Sequence, residues 1–133
     1  MLSLASCSSP TSELSEEITR QFQSSGRTFL NLAEVLPSAW DKVCILGPYS
    51  DNQATKDTIE SNWDVKTQAS IGSNDGISLL LFIQGPKVVK SVEHVRRDGD
   101  FTNLSRQCFL KTQATFYHKT NPKKGWPGLF PKE

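Results

Sequence analysis

The chain has 133 residues, 36% of them apolar, and fifteen basic residues against fourteen acidic ones leave a net charge of +1. That length suits one ordinary domain with its own core, for which three Trp and seven Phe supply material. The near-neutral balance argues against a nucleic-acid partner, which calls for a focused basic excess, and no apolar stretch approaches the roughly 18–20 residues needed to cross a bilayer.

From the N-terminus, the first signal is Leu4-Ala5-Ser6-Cys7, followed by the polar run Ser8 to Ser12. An aliphatic residue, two small residues and a cysteine resemble the lipobox of bacterial lipoproteins. The resemblance implies that Cys7 carries diacylglycerol, that the chain is cleaved on its N-terminal side, and that residues 1–12 are lipobox and polar tether. Ser8 rather than Asp after the cysteine implies delivery to the outer membrane, facing the periplasm. Each buried methylene contributes about 0.8 kcal/mol, so one acyl chain holds marginally and three on one cysteine hold permanently. Six residues precede Cys7 and none is basic. A signal peptide needs a basic start and an apolar stretch of about 7–15 residues, so this reading expects a longer leader upstream. A chance Leu-Ala-Ser-Cys in a cytosolic leader is the competing reading.

Three cysteines are an odd number for an oxidised protein. With Cys7 acylated, Cys44 and Cys108 can pair. Such a bridge would close a long loop and contribute about 4 kcal/mol in the chain-entropy model. The alternative is two buried free thiols in a reducing compartment.

Glu13 to Ser24 reads as a helix, with Leu14, Ile18 and Phe22 on one stripe, Thr11 or Ser12 as cap and Glu16–Arg20 as an i,i+4 pair. Thr28 to Leu32 is a short strand candidate, Pro37 breaks the segment after it, and Lys42–Leu46 is a better strand stopped by Gly47-Pro48. Ser50 with Gln53 makes a capping-box pattern opening a helix through about Ser61, with Trp63 and Val65 packed behind it. A turn over Ser73–Gly76 precedes Ile77–Ile83, whose run Leu79-Leu-Leu-Phe-Ile83 is apolar on both faces and implies a covered central strand. Gly85-Pro86 turns the chain into Lys87–Val95 as a hairpin, Arg97–Asp100 turns it again, and Cys108–Tyr117 reads as a last strand. Two Gly and three Pro from Lys119 onward make residues 119–133 an irregular tail. The fold class is α+β over residues 13–118 as a single domain, an antiparallel sheet of about four to five strands with two helices packed on it.

Two stretches carry a family likeness. Trp40-Asp-Lys-Val-Cys-Ile-Leu-Gly-Pro-Tyr49 and Asp75-Gly-Ile-Ser-Leu-Leu-Leu-Phe-Ile83, followed by Lys87-Val-Val89, resemble a group of small uncharacterised bacterial lipoproteins. Their pattern runs W-D-K-V-x-x-x-G-P-Y and then D-G-I-x-L-L-x-F, and the match spans about residues 28 to 117. The resemblance implies fold and envelope location and carries no catalytic residue across. Cys44 and Cys108 are disulfide partners within that framework.

The chemistry-bearing residues are sparse. No C-x-x-C, G-x-S-x-G or phosphate-binding glycine loop occurs. His94 alternates with Val92 on a strand and His118 neighbours Tyr117, neither in a metal-binding spacing. Asp98 and Asp100 mimic the start of a calcium loop, but Asn103 and Phe109 stand where its glycine and glutamate belong, and Asp51-Asn-Gln fails similarly. Tyr49 reads as a surface contact or, by preference, a packed core edge, and Arg96-Arg97 as a solvated corner. Trp126 and Phe130 among Lys123, Lys124 and Lys132 suit a membrane surface or a partner, or else packing on the domain. The leading expectation is an envelope lipoprotein without catalytic residues or cofactor, acting as a binding or structural module. Its partners are the membrane, through the Cys7 lipid anchor, and a protein in the envelope. A periplasmic inhibitor or immunity-type protein is a concrete version, although the S-G-x-x-Y signature of some lysozyme inhibitors is missing. A small hydrolase or metal enzyme assembled from His94, Asp98 and Asp100 is the second expectation, and a cytosolic partner-binding protein the third.

Overall fold

A computed structural model of the chain describes residues 10–64, 69–70 and 75–132. Cys7, Val65 and the first half of the Ser73–Gly76 turn lie outside the described residues.

The first helix, α1, runs Pro10–Ser24, so it begins ahead of the expected Glu13. Proline suits a first turn, where its missing N–H would have had no helical partner. Leu14, Ile18 and Phe22 are all buried, as their four-residue spacing requires. Arg20 pairs with Glu17, one turn back, rather than with Glu16. Strand β1 is only Phe29–Asn31, because Asn31 turns its side chain onto the Ala33 N–H and caps the short helix α2, Leu32–Val35.

Strand β2 is Lys42–Leu46 and helix α3 is Asn52–Ile59. The expected capping box at Ser50 is replaced by a neighbour. Asp51 accepts the Ala54 N–H at 2.8 Å, while the Ser50 hydroxyl donates to the Gly47 carbonyl at 2.7 Å. A carboxylate at the positive helix start outcompetes a hydroxyl there. Strands β3 (Ile77–Gln84) and β4 (Lys87–Val95) form the predicted antiparallel hairpin.

The segment expected to be one strand, Cys108–Tyr117, is two. Strand β5 is Gln107–Leu110 and β6 is Thr115–Lys119, separated by a 3-10 turn over Lys111–Gln113 that carries the chain from one sheet to another. Part of the tail is also ordered into a sheet, since Gly128–Pro131 forms β7 against β6. Its proline is tolerated because β7 is an edge strand. The α+β architecture in one domain stands, with the antiparallel strands divided between two sheets of order β4-β3-β2-β5 and β1-β6-β7.

The larger sheet is buried on both sides at its centre. Val43, Ile45, Leu80 and Phe82 face a core shared with α1 and with Leu30, Phe116 and Leu129 of the smaller sheet. Cys44, Leu46, Leu79, Leu81 and Ile83 face a second core closed by Ile59 of α3 and by Trp63. Phe116 links the first core together, edge-on to Phe101 at 5.9 Å and to Phe109 at 5.0 Å between ring centroids. We expect Phe116→Ala to lower unfolding stability by about 3–5 kcal/mol, and Leu110→Ala, at an exposed site of the β5 edge, by less than about 0.5 kcal/mol. Urea denaturation of both variants checks the contrast.

Candidate functional site

Cys44 and Cys108 stand directly opposite each other on β2 and β5 and form a disulfide, with 4.0 Å between their Cα atoms and a sequence separation of 64. The bond joins a fully buried residue of the second core to an exposed residue of an edge strand. It clasps β5, four residues long, to the sheet's centre. Removing it as Cys44→Ala with Cys108→Ala should cost about 3–5 kcal/mol, through loss of loop closure and of packing at Cys44. A thermal melt of the double variant beside the wild type measures it.

His94 lies on β4 and is wholly buried, edge-on to Phe101 at 5.8 Å. Its Nε2 is 3.0 Å from the Asp98 carbonyl, which can only accept, so Nε2 carries the proton. Nδ1 is therefore the acceptor for the Ser15 hydroxyl of α1, 2.8 Å away. Burial lowers the His94 pKa below its usual value, against opposing contributions from the hydrogen bond to the Asp98 backbone and from the Asp98 charge.

Of the carboxylates expected to join His94, Asp98 acts on the ring through its charge and Asp100 is engaged elsewhere. Asp100 takes Arg96 on one oxygen at 3.2 Å and the Thr102 N–H on the other at 2.9 Å. The Asp98 carboxylate lies 3.8 Å from Arg97. Among the described residues no three of His, Cys, Asp or Glu gather where they could hold one metal ion. Ser15 does border an open cleft of about 450 Å³, lined also by Glu16, Thr19, Arg20, Gln23 and Asp98. It sits inside α1, however, where neighbouring backbone N–H groups are spent on the helix and leave none for an oxyanion. The Ser15–His94 bond docks the helix on the sheet.

Because its folded pKa is depressed, His94 opposes folding once the unfolded chain binds a proton that the buried ring resists. Its contribution is fully present above the unfolded value of 6.5 and is lost as pH falls from there through the lower folded value. The melting temperature should drop between pH 7 and pH 5, and His94→Gln should flatten that drop.

The other histidine, His118, is half-buried beside Phe22 at 6.0 Å. Tyr49, expected at a core edge, is instead 62% exposed in the turn after β2.

A second arrangement involves residues that sequence reasoning had left between two readings. In the small sheet Leu30, Phe116 and Leu129 point to the core, so their neighbours point outward. Register aligns three of these, Phe29, Tyr117 and Phe130, in one row across β1, β6 and β7. The Phe29 and Tyr117 rings are 5.4 Å apart, and the Lys119 ammonium lies 4.9 Å over Phe130. A depression of about 600 Å³ opens beside Phe130, lined by Lys119, Asn121, Pro122, Lys123 and Lys124. Trp126, in the loop joining β6 to β7, is 70% exposed. Asn103 grips that loop twice, accepting the Trp126 N–H at 3.0 Å and donating to its carbonyl at 2.8 Å. Thus Phe130 packs on the sheet whereas Trp126 faces solvent.

No protein-family model, curated protein or solved structure matches the chain.

Proposed function

We propose that this protein is an exported lipoprotein of the bacterial envelope, anchored through Cys7, whose domain acts as a binding or structural module. The observation that carries the reading is the Cys44–Cys108 disulfide. Disulfides persist in oxidising compartments and are rare in the cytosol. With two cysteines joined, the third is Cys7, and it stands at the end of Leu4-Ala5-Ser6. Acylation of that thiol accounts for the odd number. Ser8 after the cysteine favours the outer membrane as destination, and the likeness of Trp40–Tyr49 and Asp75–Ile83 to small envelope lipoproteins points the same way. Recognition rather than catalysis agrees with where the polar groups go: Ser15, His94 and Asp100 make hydrogen bonds and an ion pair that hold the fold.

Expression from the native locus tests this. The wild type should gain the mass of its lipid, lose residues 1–6 and stay with membranes washed in high salt, while Cys7→Ala stays unlipidated and is released by the wash. A wild type that is soluble, unmodified and uncleaved contradicts the proposal.

A further inference from the structure

The solvent face of an antiparallel sheet is ordinarily polar. On the small sheet it carries instead the row Phe29, Tyr117 and Phe130, with Tyr117 40% exposed, and the loop joining β6 to β7 carries Trp126, 70% exposed. The basic residues beside this row are Lys119, Lys123 and Lys124, which line the depression next to Phe130.

We infer that this aromatic and lysine-bearing face docks on an anionic phospholipid surface. Trp and Tyr settle at the headgroup level of a bilayer, with apolar ring bodies towards the acyl chains and polar edges towards water. Lysines beside them meet the negative surface potential of anionic lipid. The backbone that carries Trp126 is held in place: Asn103 bonds it from both sides, and Gly125 has φ +81 with a Cβ position 2.6 Å from Asn103 Oδ1, so no other residue fits there unstrained. A loop already held gives up little backbone freedom on docking.

The inference takes its setting from the lipoprotein reading. Cys7 lies three residues ahead of Pro10, the first residue of α1. At roughly 3.6 Å per extended residue, an acyl anchor there holds the start of the helix within about 11 Å of the bilayer. The anchor keeps the domain beside the bilayer, and this face has the matching chemistry.

The test uses the full chain as Cys7→Ala, which removes lipidation from the question. It is sedimented with equimolar phosphatidylglycerol–phosphatidylcholine vesicles and with pure phosphatidylcholine vesicles. The expected result is binding to the anionic vesicles that weakens with salt, at least tenfold stronger than to the neutral ones, with a blue shift of tryptophan emission. Lys123→Gln with Lys124→Gln should weaken it about 25-fold, or about fivefold per lysine. Trp126→Phe should abolish the blue shift, since Trp40 is buried and Trp63 partly so. These positions are exposed, so the melting temperatures should stay unchanged, and a melt of each variant verifies it. Failure of the folded chain to bind anionic vesicles overturns the inference, as does binding unaffected by the variants. So does capture of an acidic soluble protein through Trp126 without vesicle binding. Any of these leaves acylation of Cys7 to be judged by its own experiment.

Discussion

Strands β2 and β3 have no solvent face, and the rest of the architecture follows from that. Each alternates its side chains between two cores, Val43 and Ile45 against Cys44 and Leu46, Leu80 and Phe82 against Leu79 and Leu81. A sheet buried on both sides needs cover on both sides. Helix α3 with Trp63 supplies it on one, and α1 together with the inner face of the small sheet supplies it on the other. The Cys44–Cys108 bond belongs to the same constraint, because it ties the short edge strand β5 to a residue that the second core already holds in place. The Ser15–His94 hydrogen bond does the equivalent for α1, satisfying a buried imidazole that would otherwise be costly.

Using the small sheet as a lid has a consequence for its other side. Leu30, Phe116 and Leu129 are committed to the core, so the alternating residues Phe29, Tyr117 and Phe130 are obliged to face outward. Within the sheet these aromatics form cross-strand contacts, Phe29 with Tyr117 and Phe130 under Lys119, that help hold the three-residue β1 and the edge strand β7. Core packing therefore explains where the row lies.

The features legible in the sequence were those set by local chemistry. The four-residue spacing of Leu14, Ile18 and Phe22 gave α1, the continuous run Leu79–Ile83 gave a central strand, and cysteine arithmetic gave the disulfide pair. Features set by competition or by distant pairing were not legible. Ser50 and Asp51 both suit a helix cap, and only the geometry decides for Asp51. The change of sheet between β5 and β6 passes through Lys111–Gln113 with no Gly or Pro to mark it. Gly128–Pro131 reads as loop from its composition and is a strand only because β6 offers an edge. The aromatic row depends on register between segments far apart in sequence, Phe29 with Tyr117 and Tyr117 with Phe130, which no local pattern encodes.

The account stands or falls on the oxidation state of the chain in the cell. The most direct measurement is differential alkylation of protein purified from its natural source under denaturing, non-reducing conditions, followed by peptide mass analysis. The account predicts that Cys44 and Cys108 resist alkylation until a reductant is added and that Cys7 is never alkylated, its thiol being acylated. Alkylation of Cys44 and Cys108 before reduction would place the working protein in a reducing compartment and contradict the envelope reading at its base.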